Sequence, residues 1–87
     1  MIRVTFDKDH IYEVGSATDF LAYYAMLNHT ALHPPLVNVF GARNLLAMRA
    51  LAEGYGYLNL ELSDDAFVEA ASEMGMYSLE RFDGMAK

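Results

Sequence analysis

A two-layer α+β domain is predicted by three observations. Residues 2–6 (IRVTF) and 57–62 (YLNLEL) alternate apolar and polar side chains, the period of a strand with one buried face. Three longer segments, beginning near Ala17, Ala42 and Asp64, are built from helix formers or carry apolar residues at helical spacing. Proline, glycine and Asp/Ser clusters fall between them, where chain reversals are needed. Together these give an antiparallel or mixed sheet of three to four strands with three helices, ordered β-β-α-α-β-α-β, in a single domain spanning residues 1–87.

The elements follow in order. Ile2, Val4 and Phe6 face one way and Arg3 and Thr5 the other; Asp7-Lys8-Asp9 is a polar turn and HIYEV (10–14) the return strand. Ser16 with Asp19 three residues on has the form of a capping box, which starts a helix near Ala17 that runs to Asn28. Phe20, Tyr23, Tyr24 and Leu27 make its stripe, and Leu21 and Met26 widen the apolar arc to about 220°. An arc that wide meets more than one layer, or another subunit.

HTALHPP (29–35) stops this helix, because proline disfavours α geometry at His33 and Pro35 has no amide hydrogen to donate. LVNVF (36–40) reads equally as a short strand or a helix entry. From Ala42 to Glu53 the residues are strong helix formers, and Gly54 suits the left-handed position that ends a helix. Polar residues there are few and scattered (Arg43, Asn44, Arg49, Glu53), so the helix is expected to be mostly enclosed. YLNLEL then reads as a strand with Leu58, Leu60 and Leu62 inward. Ser63 caps a helix over 64–74 with the stripe Phe67, Val68, Ala70, Ala71 and Met74. Gly75 ends it, and MYSLERF (76–82) supplies a last strand.

Composition narrows the function classes. The chain is 54% hydrophobic and 13% aromatic, enough for a core despite its 87 residues. It has no cysteine, hence no disulfide, thiolate nucleophile or Cys-based metal site, which fits a reducing cytoplasm. The N-terminal stretch lacks the pattern of a signal peptide, and no apolar run approaches the roughly 20 residues of a membrane span. Twelve acidic against six basic residues give net −6, which opposes phosphate neutralisation as a binding mode.

Several local patterns carry chemistry. His29 and His33 are four apart, a spacing that suits zinc, but Pro34 pushes His33 out of helical geometry and no third ligand is near; no metal or cofactor is expected. Residues 71–82 have the glycine of a helix-turn-helix but lack its basic second helix. The serines at 16, 63, 72 and 78 lack a nucleophile-elbow context, and Asp64-Asp65 suits a helix N-terminus better than acid–base work. The chain reads as non-catalytic.

Gly54-Tyr55-Gly56-Tyr57-Leu58-Asn59-Leu60 resembles the signature strand of RNA-recognition motifs, and Ile11-Tyr12 the family's other aromatic strand. The resemblance covers some 40 residues and implies single-stranded nucleic-acid binding by tyrosines on a sheet face, with Tyr55, Tyr57 and Tyr12 as stacking platforms. Glu53 stands where that family carries a basic residue, Leu60 where it carries an aromatic, and Glu13 where it carries a core aliphatic. The competing reading has Gly54 as a helix cap and the tyrosines as amphipathic surface.

The remaining signals are acidic and apolar. Glu61, Asp65, Glu69 and Glu73 recur every four residues, and the last three stack on the outer face of one helix with no lysine or arginine between them. The leading expectation is therefore a small protein-binding or inhibitory module, of the kind carried by phages and other mobile elements. It would engage a basic protein partner through Glu61, Asp65, Glu69 and Glu73, with Tyr55 and Tyr57 as the other candidate face. A homodimer is expected as well, through Tyr23, Met26, Leu45 and Met48, because so small a domain has too little interior to enclose two such apolar helices. Neither nucleic acid nor membrane is the expected partner.

Overall fold

A computed structural model describes residues 1–32 and 37–82. Three strands, β1 (Ile2–Asp7), β2 (His10–Val14) and β3 (Ser78–Arg81), form one antiparallel sheet in the order β2-β1-β3. Three helices, α1 (Ala17–Leu27), α2 (Val39–Ala52) and α3 (Asp64–Glu73), complete the fold, with a short 3₁₀ turn over His29–Ala31. No helix among the described residues is long and apolar enough to cross a membrane.

The hairpin forms where the alternation predicted it. Ile2 pairs with Val14, Arg3 with Glu13, Val4 with Tyr12 and Thr5 with Ile11, and the register shifts at a bulge between Thr5 and Asp7. The Asp7 carboxylate closes the turn by accepting from the Asp9 amide at 2.8 Å and from His10 Nδ1 at 2.8 Å. On the core side Phe6 meets Tyr77, Tyr12, Tyr24 and Phe20 with ring centroids 5.2 to 6.3 Å apart. On the other side Arg3 bridges Glu13 at 2.8 Å and Glu80 at 2.7 Å, tying the three strands across their polar face.

Capping chemistry sets the helix ends. The side chains of Ser16, Asn38 and Ser63 accept from the amides of Asp19, Gly41 and Ala66. Leu36 lies outside the described residues, and over 37–40 Asn38 settles the ambiguity: from Val39 the chain is helical, three residues earlier than the propensities alone suggest. At the far end Gly54, at φ +84°, closes α2 in a Schellman motif, with Tyr55 N–H donating to Ala50 O at 2.8 Å and Gly54 N–H to Leu51 O at 3.2 Å. Gly54 is thus a helix cap, and the residues after it leave α2 as a loop.

Two expectations are corrected here. Residues 57–62 are not a strand, so the order is β-β-α-α-α-β and the sheet has three strands. The cause is local. The Asn59 side chain accepts from the Glu61 amide at 2.9 Å, an Asx turn, and Leu62 N–H reaches back to Asn59 O. The carbonyls a neighbouring strand would need are taken by Arg43, whose Nη2 donates to Leu60 O at 2.7 Å and also to Leu62 O. Leu58 is buried and Leu62 half-buried, but Leu60 is exposed, so the alternation does not mark two faces.

The second correction concerns α2, which is not enclosed. Gly41, Ala42, Leu46 and Ala50 form its buried side, of which the glycine and two alanines are small enough to let it approach α1, whose Ala17, Leu21 and Ala25 are also buried. Its two arginines lie on or beside this packed side. Phe40, Met48 and Leu51 face outward instead. The wide arc of α1, by contrast, does meet several neighbours: it packs against β2, α2 and α3. Likewise α3 buries Phe67, Val68 and Ala71 as its stripe requires, and Gly75 ends it in a second Schellman motif at φ +100°.

Candidate functional site

A depression of about 410 Å³ is lined almost wholly by apolar side chains. Its floor is the outer stripe of α2, where Asn44, Ala47, Met48 and Leu51 follow one another at three- and four-residue steps. Its other wall is the loop after α2, contributing Tyr57, Leu58 and Leu60. Met48 is 66% exposed, Leu51 63% and Tyr57 73%, large values for side chains of this size, and Phe40 extends the stripe one turn toward the N-terminus of α2.

Arg43 holds the loop wall in place. Its guanidinium lies 4.7 Å from the centroid of the Phe67 ring, donates to Asp64 Oδ1 at 3.0 Å, and forks to the Leu60 and Leu62 carbonyls. Asp64 accepts in addition from Thr18 Oγ1 at 2.7 Å, so one carboxylate joins the starts of α1 and α3 to the middle of α2. The groove therefore rests on a fixed backbone. Glu53 and Glu61, close in sequence to the lining residues Leu51 and Leu60, are exposed, and neither forms an ion pair among the described residues.

The other residues singled out in the sequence are dispersed. Asp65, Glu69 and Glu73 are exposed on α3 as expected, but Arg81 of β3 reaches Asp65 at 3.8 Å and Glu69 at 3.7 Å, so a cation does offset the ridge. Glu61 belongs to the Asx turn and not to α3. Tyr55 and Tyr57 lie on the loop, off the sheet, and Tyr12 is half-buried with its ring 5.4 Å from that of Tyr23 and 6.0 Å from that of Phe6. The stacking platform implied by the resemblance to RNA-recognition motifs is absent from this sheet. Tyr55 instead borders a hollow with Gly75, where a Cβ would lie 3.6 Å from its ring.

The expected dimer residues line separate surfaces. Tyr23 and Met26 border a second depression with Ile11, Tyr12, Val14 and Ala22 and the acids Glu13 and Asp19; Met48 belongs to the α2 groove; and Leu45 is half-buried against the core. His29 Nδ1 donates to Met26 O at 3.1 Å at the end of α1, and His33 lies outside the described residues. No three metal-binding side chains gather among the described residues. After Gly75 the described residues form β3, with no second helix among them for a helix-turn-helix.

A polar hollow between the hairpin and α1 holds the Asp7–His10 pair beside Arg49, Asn28 and Tyr12. Hydrogen bonding from His10 lowers the Asp7 carboxyl below its ordinary range. Arg49 is committed to the Tyr24 hydroxyl and, at 3.2 Å, to Asn28 Oδ1, and no serine or threonine lines the hollow. Every described arginine thus has an ion-pair or hydrogen-bond partner within the chain, Arg49 through neutral groups alone. The sequence could have pointed to Arg43, whose charge sits amid the apolar run of α2. No family model matches the chain, and neither a curated protein nor a solved structure shows significant similarity to it.

Proposed function

We propose that this protein is a non-catalytic protein-binding module whose α2 groove seats an apolar helical segment of a partner protein, flanked by basic residues. The observation that carries this reading is the outward stripe of α2: Phe40, Met48 and Leu51 with Tyr57 and Leu60 beside them, all exposed, along a helix whose arginines serve packing. Contiguous exposed apolar surface of this kind is costly to leave in water and marks interaction sites. A groove with one helical wall suits an amphipathic helix presenting anchors at three- and four-residue steps. Glu53, Glu61 and the net charge of −6 favour lysine and arginine at the ends of such a helix and speed its encounter.

Selection of binders from a random displayed-peptide library tests the reading. The expected winners carry apolar residues at helical spacing with basic flanks, and lose binding to Met48→Lys and Leu51→Lys while keeping it to Asp65→Lys/Glu69→Lys/Glu73→Lys. Winners that depend on the α3 acids and ignore Met48 would return the binding face to the ridge.

A further inference from the structure

The polar hollow between the hairpin and α1 shares no lining residue with the α2 groove and has the make-up of a small-molecule site. Its volume is about 470 Å³, within the range of ligand pockets. Phe6, Tyr12 and Leu27 give it an apolar lining, and Arg49 brings a positive charge to it. Arg3, Arg43 and Arg81 each reach a carboxylate, whereas Arg49, half-buried in the last turn of α2, has none within ion-pair distance among the described residues. Glu53, four residues on, is exposed and forms no ion pair with it. A half-buried cation with neutral partners alone is poorly compensated for its lost water. Its bonds to the Tyr24 hydroxyl and Asn28 Oδ1 occupy two of the five N–H groups of a guanidinium. The end of α1 does not need the charge as a cap, because the carbonyls of Tyr24, Ala25 and Met26 already accept from Asn28 and His29.

We propose that Arg49 receives the carboxylate of a small monocarboxylic acid whose apolar body lies against Phe6, Tyr12 and Leu27. The planar guanidinium fork matches the two oxygens of a carboxylate. Asp7 sets the limit on charge. Hydrogen bonding from His10 keeps its carboxyl ionised, and with Nδ1–H turned to Asp7 the imidazole presents the lone pair of Nε2, which has no hydrogen bond among the described residues. Neither group welcomes a second negative charge. A phosphate monoester carries about −1.5 to −2 at pH 7 and would meet Asp7 in a chain already at net −6. A monocarboxylate brings the single charge that Arg49 neutralises.

NMR titration of isotope-labelled protein with phenylacetate, phenylacetamide and phenylphosphonate reads the result. Phenylacetate is expected to shift the Arg49 side-chain signal and the amides of Phe6, His10 and Leu27, with a dissociation constant on the order of 0.1–1 mM. The amide, which has the same shape without the charge, and the phosphonate should each bind about tenfold more weakly or worse. Arg49→Gln keeps an N–H donor for Tyr24 and Asn28 but removes the charge, and should weaken phenylacetate about tenfold; Met48→Lys in the α2 groove should leave it unchanged. Should Arg49→Gln fail to fold, Leu27→Asp decides: Leu27 is 47% exposed, so the fold is expected to survive a new carboxylate there, and like charge should weaken phenylacetate by a similar factor. No saturable shift, equal binding of acid and amide, tighter binding of the phosphonate, shifts centred on Met48 and Leu51, or an affinity that the folded variants leave unchanged would each overturn the proposal and leave Arg49 as a tie between α1 and α2.

Discussion

Replacing Arg43 by alanine should be among the most damaging single changes to this fold. The guanidinium is 14% exposed and its partner Asp64 25%, so the pair is poorly screened by water. Removal strands three acceptors: Asp64 Oδ1, 3.0 Å from Nη1, and the carbonyls of Leu60 and Leu62. It also uncovers the face of Phe67. Charge-assisted bonds contribute about 1.5–3 kcal/mol each, and breaking a fully buried ion pair costs about 3–5 kcal/mol. Asp64 keeps its bond from Thr18 and gains water, which lowers the loss to about 2–4 kcal/mol. For a domain of this size that is a fall in Tm of about 10–25 °C. Urea unfolding of wild type, Arg43→Ala and Arg43→Lys provides the assay. Lysine brings a point charge to Asp64 but cannot fork to two carbonyls, so it should recover less than half of the loss. A cost under about 1 kcal/mol for Arg43→Ala, with an unchanged denaturant slope, would refute the claim that this side chain fixes the loop.

Three further outcomes follow from single features. Leu58→Ala should cost about 2–4 kcal/mol and Leu60→Ala under about 1, because one is buried and the other exposed, whereas a strand with both inward would be hurt equally. The buried Tyr77 hydroxyl donates to Val68 O at 2.7 Å, and burial holds its pKa above the ordinary 10.0; Tyr24 is raised for the same cause, partly opposed by Arg49. Stability should thus be level below about pH 10 and fall above it, as the unfolded tyrosines ionise and the folded ones stay neutral, by up to about 1.4 kcal/mol per pH unit for each group. Tyr77→Phe should flatten that fall in alkaline melting curves. The triple change Asp65→Lys/Glu69→Lys/Glu73→Lys should alter stability by no more than about 1 kcal/mol in the same melts, since the Arg81 contacts at 3.7 and 3.8 Å are exposed.

Local signals were legible at most places where a side chain acts on its own backbone, the Asn38 cap and the Asn59 turn being the two that were missed. Ser16 and Ser63 cap the helices they were expected to cap, Gly54 and Gly75 end α2 and α3, and Ile2, Val4 and Phe6 turn one face of β1 inward. The rest of what the sequence hid depends on partners distant along the chain. YLNLEL has the alternation of a strand, yet Arg43, seventeen and nineteen residues before the carbonyls it holds, removes those carbonyls from any ladder. The same arginine made α2 look enclosed, because polar residues ordinarily mark the solvent side and here two of them pack inward. Arg81 joins Asp65 and Glu69 only because β3 returns to the sheet, so the acidic ridge read as more naked than it is. The groove was half visible: Met48 and Tyr57 were singled out, but for different roles.

The pairing of β1 has a consequence for how the protein is made. Its hairpin partner follows at once, while its other partner waits: Arg3 is bridged to Glu80, seventy-seven residues later. Closing so long a loop is slow and comes late in folding. On the ribosome, a nascent chain that has reached α1 and α2 already exposes the hairpin, with one flank of β1 still unpaired. That flank carries the same unmade backbone bonds that β2 offers on its outer side, and neighbouring nascent chains on one message present both. Correct sheet order is then a race between release of residues 78–81 and capture by another copy. Slower translation through the α3 codons would lengthen that window and raise the yield of misjoined chains.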